Sequence, residues 1–144
     1  MTKPPAIICD LDGTISLLNG RGPFEMEKMH EDPERPGMKE LLTVLSWHRQ
    51  IIYMTGRGEQ DRERTCAWLL EREFPCATFL GSELRLLMRA LHDYRADHII
   101  KREMAERYVL PYYEVVCVFE DRNTVVKMWR ELGLLCLQPQ DGDY

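Results

Sequence analysis

The sequence predicts an α/β fold, a parallel sheet of about five strands with helices on its faces, and two observations carry that expectation. Apolar runs of four or five residues recur along the 144-residue chain, and longer segments with helical spacing separate them. A strand buried on both faces reads as an unbroken apolar run, and a helix that returns the chain to the next parallel strand reads as a 3.6-residue period. The runs are Ala6–Cys9, Gln50–Met54, Ala77–Leu80, Val115–Phe119 and Leu134–Leu137. Between the first two, Met38, Leu41, Leu42 and Leu45 fall at i, i+3, i+4 and i+7, which places a helix over Met38–His48, started at Pro36-Gly37. A second helix is expected over Gln60–Glu73, with Cys66, Leu69 and Leu70 inward, and a third over Asp97–Tyr108, with Ile100, Met104 and Tyr108 inward. The fourth carries Val125, Met128, Trp129 and Leu132 and stops at Gly133, which tolerates the left-handed backbone that ends helices. Trp47, Trp68 and Trp129 are expected in the core. Strands and helices alternating in this way describe a Rossmann-like sheet in a single domain, 1–144.

Two gaps between strands are long. Ser16–Gly37, rich in Gly and Pro at Asn19-Gly20-Arg21-Gly22-Pro23 and Arg35-Pro36-Gly37, reads as an irregular excursion. It follows the first strand, where ligands collect in parallel α/β sheets. Arg57–Lys101 is filled by a helix, a strand and a short amphipathic segment over Leu84–Leu91. Neither leaves room for a folded cap, so a minimal cap or none is expected.

Composition bounds the function. Twenty-four acids against nineteen bases give a net charge of −5, which argues against nonspecific grip along a nucleic-acid backbone. A local basic pocket remains compatible with it. Five cysteines, Cys9, Cys66, Cys76, Cys117 and Cys136, contain no C-x-x-C pair and read as small buried hydrophobes in a reducing, cytoplasmic setting. No signal peptide is read at the N-terminus, and no apolar run approaches the roughly 20 residues that span a bilayer.

The chemistry-bearing residues sit at strand ends. Asp10-Leu11-Asp12-Gly13-Thr14 delivers two carboxylates to the carboxyl edge of the sheet. Asp10 is placed to attack an electrophile such as phosphorus, and Asp12, two residues on, to protonate a leaving oxygen and then activate water. Thr55-Gly56-Arg57 brings a hydroxyl, a flexible backbone and a guanidinium to the same edge, all groups that bind phosphate. Asp97 and Lys101 share a helix face, either as an exposed pair or with Lys101 neutralising charge at the site while Asp97 orients it. Glu120-Asp121-Arg122 follows the fourth strand. Asp121 with Asp10 and Asp12 would form an oxygen-only cluster suited to a hard divalent ion, Mg2+ above all.

In this order, Asp10-x-Asp12-Gly13-Thr14, Thr55-Gly56-Arg57, Lys101 and Glu120-Asp121 resemble the four motifs of the haloacid dehalogenase superfamily of phosphotransferases. Asn19-Gly20-Arg21-Gly22-Pro23-Phe24, the stretch from Asp121-Arg122 to Arg130, and the end from Cys136-Leu137-Gln138 to Gly142-Asp143-Tyr144 are similar to the 3′-phosphatase domain of bacteriophage polynucleotide kinase. The resemblance covers essentially the whole chain, and the loop and tail are more specific than the superfamily motifs. It implies a phosphoric monoester hydrolase removing a 3′-phosphate, or a 2′,3′-cyclic phosphate, from DNA or RNA ends. Asp10 would be the nucleophile, Asp12 the general acid/base and Asp121 a metal ligand. Arg21, Arg57 and Lys101 would engage phosphate, with Asp97 in support and Arg122 among the substrate-binding residues.

Two departures stand out. The chain has no G-x-x-x-x-G-K-[ST] loop, so kinase activity is not expected of it, and a separate kinase or ligase becomes a candidate partner. Glu120 stands where an aspartate would be expected, and its extra methylene suits a contact through water. A nucleotide or sugar phosphatase and a noncatalytic repair adaptor are the alternatives. DNA against RNA, and the oligomeric state, are left open.

Overall fold

The computed structural model describes residues 2–18, 20–22, 25–76 and 84–144. Its centre is a five-stranded sheet of β1 (Pro5–Cys9), β2 (Gln50–Gly58), β3 (Leu86–Arg89), β4 (Glu114–Phe119) and β5 (Cys136–Leu137), in the order β3-β2-β1-β4-β5. Every pairing is parallel. The helices are α1 (Met38–Ser46), α2 (Arg62–Glu71), α3 (Asp97–Tyr108) and α4 (Asn123–Glu131).

Successive residues of β1 point to opposite faces. Ile7 and Cys9 pack with Leu42 of α1 and Trp68 and Leu69 of α2. Ala6 and Ile8 pack with Met104 and Ala105 of α3 and Val125 and Trp129 of α4. Both faces of the strand are therefore covered, which is why its sequence shows no polar alternation. Pairing register then sets the site: Cys9 lies opposite both Tyr53 and Phe119, so Asp10 and Glu120 leave the sheet at the same level.

Three local expectations need correction. The run Ala77–Leu80 lies outside the described residues, and the strand beside β2 is Leu86–Arg89, inside the segment read only as amphipathic. Its side chains alternate buried and half-buried, the pattern of a sheet edge with one neighbour. β2 runs four residues past Met54, and a register shift against β3 between Thr55 and Gly58 puts Thr55-Gly56-Arg57 within an irregular strand end. Trp47, Tyr108 and Leu70 are exposed instead of buried. Trp47 falls just past the last residue of α1, and Tyr108 closes α3, where neither meets the sheet.

The excursion after β1 is tied down. Leu17 N–H donates to the Pro33 carbonyl at 2.9 Å and Arg35 N–H to the Ile15 carbonyl at 2.8 Å, closing its base. A 3₁₀ turn at Met26–Glu31 packs on α2 and buries Met29. Asn19, Pro23 and Phe24 of the glycine-rich loop lie outside the described residues. Among the described residues, no helix is long and apolar enough to cross a membrane.

Candidate active site

The turn after β1 is wound around one carbonyl: Thr14, Ile15 and Ser16 N–H all donate to Leu11 O at 2.9–3.0 Å. Gly13 takes φ +82°, and any Cβ there would run into the Asp121 carboxylate and the Tyr144 hydroxyl, so glycine is required. Arg35 fixes the turn from outside, donating to the Gly13 and Thr14 carbonyls at 2.7 and 3.0 Å.

One side of the resulting cleft is acidic. Oxygens of Asp10, Glu120 and Asp121 lie within 4.8 Å of one another, and all three residues are buried. Lys101 reaches in from α3 and donates from Nζ to Asp10 Oδ1 at 2.7 Å and Glu120 Oε2 at 2.6 Å. Thr14 Oγ1 donates to Asp10 Oδ2 at 2.9 Å and Asp121 Oδ1 at 3.2 Å. Burial first, then Glu120, pushes the Asp10 carboxyl well above its usual range against the pull of Lys101. Burial alone would lower Lys101, but Asp10 and Glu120 outweigh it and hold the ammonium above its ordinary value. One ammonium thus stands among three carboxylates, two of them bonded to it, a formal excess of two acids. That oxygen-only excess fits a hard divalent cation. Asp12, expected in the metal cluster, directs its carboxylate elsewhere, and Glu120 stands in the acidic group beside Asp10 and Asp121.

The other side is basic and balanced. Arg57 grips Asp12 through Nε at 2.8 Å and Nη2 at 2.5 Å, and Arg21 Nη2 stands 3.5 Å from Asp12 Oδ1. Burial would raise the Asp12 carboxyl, but the Arg57 hydrogen bonds hold it below the usual carboxylate range. The irregular end of β2 aims this guanidinium, with Arg57 N–H capped by Thr55 Oγ1 at 3.1 Å. Arg21 is held in turn by Asp32, whose oxygens accept from Nε at 2.8 Å and Nη2 at 2.7 Å. Asp32 is 1% exposed, and Trp68 Nε1 anchors its carbonyl at 3.1 Å. Sequence reading missed Asp32. It is one of several acids in an excursion with no periodicity, and only its burial sets it apart.

The rim joins the remaining residues. The Asp97 carboxylate does not reach for Lys101; it bridges Arg89 of β3 and Arg122, the latter at 2.7 Å. A Cβ at Gly56 would lie 2.6 Å from Asp97 Oδ1, so that glycine lets α3 approach β2. Arg122 also lies over the Tyr144 ring, 5.1 Å from its centroid, and the Tyr144 hydroxyl donates to Asp121. Arg89 and Tyr144 were likewise not singled out as site residues from sequence.

A parallel sheet bearing paired aspartates on its first strand end, with a lysine and further acids converging from later elements, defines the haloacid dehalogenase class of α/β domains. Within it, residues 4–144 match the family described as the polynucleotide kinase PNKP phosphatase domain, and the chain belongs to that family. It is 31% identical over 134 residues to a protein of Autographa californica nuclear polyhedrosis virus described as a bifunctional polynucleotide kinase/RNA ligase. Similar solved structures include one of the Pnkp1/Rnl/Hen1 RNA repair complex, at TM-score 0.89 and 38% identity over 99% of this chain. A second structure of the Pnkp1/Rnl/Hen1 complex matches at TM-score 0.90 and 37% identity over 100% of this chain. The chain spans 18% of the viral relative and 44% and 48% of the two solved chains.

Proposed function

We propose that the chain is a Mg2+-dependent polynucleotide 3′-phosphatase acting on DNA or RNA ends. One observation carries this reading: Asp10 stands buried at the tip of β1 with both oxygens held, two residues before an Asp12 carboxylate bound by Arg57 with Arg21 beside it. In the first step an Asp10 oxygen attacks phosphorus, the bond from phosphorus to the sugar oxygen breaks, and Asp12 gives that oxygen its proton. In the second, water attacks the phosphorus, its proton passes to Asp12, and the bond to Asp10 breaks to release phosphate. For the first step Asp12 must be protonated. Arg57 and Arg21 now hold it ionised, so a phosphate that draws those guanidiniums to itself frees Asp12 to take a proton. Lys101 and Thr14 orient Asp10. Magnesium held by Asp10, Asp121 and, directly or through water, Glu120 would supply charge neutralisation for the phosphoryl oxygens.

The balance of charge supports recognition of a terminus, where Arg21 and Arg57 need match a single phosphate. Five free cysteines, none of them exposed, are consistent with work in the cytoplasm. A separate ligase would use the 3′-hydroxyl that the reaction leaves, and a separate kinase would supply the 5′-phosphate to which it is joined. The test is a panel of 3′-phosphorylated DNA, 3′-phosphorylated RNA, cyclic-ended RNA and a 3′-mononucleotide, with and without magnesium. Phosphate release from oligonucleotide ends only when magnesium is present is expected. A large preference for the mononucleotide would instead make it a nucleotide phosphatase, and hydrolysis of none of them would leave a binding role.

A further inference from the structure

Tyr144 stands at the cleft with no part in the chemistry above. Its hydroxyl donates to Asp121 and its ring carries the Arg122 guanidinium, yet the residue is 63% exposed. The segment leading to it is pinned to the loop after β4. Gln138 Nε2 donates to the Asp121 carbonyl at 2.8 Å, and Asn123 N–H donates to the Gly142 carbonyl at 2.9 Å. Gly142 packs so closely that a Cβ there would lie 2.5 Å from the Asp121 carbonyl oxygen. Arg122 is fixed as well, since Asp97 binds it while Arg89 binds the other Asp97 oxygen.

A large ring is therefore held in one orientation, backed by a cation and left open to solvent beside the acidic cluster. Its hydroxyl and one cation hold it there, while most of the ring's apolar area stays in water. A nucleic-acid base would cover it, because every base offers a π-face and aromatic stacking tolerates any sequence. We propose that Tyr144, backed by Arg122, is the surface on which the terminal nucleoside of the substrate stacks while its phosphate is directed to Asp10. This rests on the polynucleotide reading above. It gives an acidic chain a way to select a nucleic-acid end without gripping its backbone.

The test compares the full chain with its Tyr144→Phe and Tyr144→Leu variants on 3′-phosphorylated oligonucleotides whose last residue is a normal nucleotide or an abasic one. Tyr144→Leu is expected to lose about tenfold or more in kcat/KM on the normal end and little on the abasic end, while Tyr144→Phe stays within about threefold. In a separate binding measurement, a fluorescent purine analogue at the terminal position should be quenched by the unmodified chain and by Tyr144→Phe, but not by Tyr144→Leu. Equal losses on both ends would mean that Tyr144 acts only through Asp121, and no loss on either would mean that it contacts no base; both overturn the proposal. Quenching that depends on Tyr144 without phosphate release from any end supports stacking and overturns the catalytic reading instead.

Discussion

The two sides of the cleft differ in how their charges close. On the Arg57 side, two guanidiniums, Arg21 and Arg57, face two carboxylates, Asp12 and Asp32. On the Lys101 side, one ammonium faces three. The first arrangement is completed by folding alone, and in the proposed reaction it would receive an anion by exchanging Asp12 for phosphate. The second carries a formal excess of carboxylates that a cation would offset, because buried like charges repel strongly where little water screens them. In the proposed reaction phosphate and metal would thus take separate places, and the contrast can be broken from either side.

The largest effect is expected from Lys101→Met. It leaves three buried carboxylates without a counter-charge and should cost about 3–5 kcal/mol of stability at neutral pH, measured by urea unfolding without divalent ions. Asp32→Asn unbalances the other side, where the one carboxylate left to Arg21 among its described ion pairs is Asp12 at 3.5 Å. A loss of about 3 kcal/mol is expected, with weaker substrate binding; an unchanged midpoint would show that the pair is not needed to build the wall. Magnesium should raise Tm by an amount that corresponds to about 2.7 kcal/mol at a hundredfold excess over Kd, and a chelator should reverse it. The Asp32→Asn variant should keep that response, since its defect lies on the side that needs no cation.

The smallest effect is expected outside the reacting groups, at Asp93, whose carboxyl is pulled down to about 2 by hydrogen bonds from Arg95. A carboxyl lowered on folding stabilises above its ordinary pKa of about 3.9, and the contribution fades as pH falls through about 2. This ion pair lies at the surface, so Asp93→Asn should lower Tm slightly at pH 7 and less as pH falls towards 2.

The residues that could be read from sequence are those whose neighbours are set locally. Asp10, Asp12, Glu120 and Asp121 each follow an apolar strand by one to three residues and Arg57 sits in the last residues of one, so the strand end itself announces them. Lys101 follows from helical spacing. Asp32, Arg89 and Tyr144 carry no such local mark, because their roles depend on partners brought together by the excursion, by an edge strand and by the folded tail. The edge strand escaped for a related reason. Four residues with one pairing neighbour show a two-residue alternation too brief to separate from a helical turn. The inward orientation read for Trp47 and Tyr108 failed at helix ends, where period persists after the sheet has stopped.

The central claim is that Asp10 attacks the phosphate, and substitution of that one residue tests it most directly. Phosphate release from a 3′-phosphorylated oligonucleotide in magnesium should fall by about 10⁴-fold or more in Asp10→Asn, with an unchanged circular dichroism spectrum. Asp10→Asn turnover within about tenfold of the unmodified chain would contradict the account, because no nucleophile would then be needed at the tip of β1.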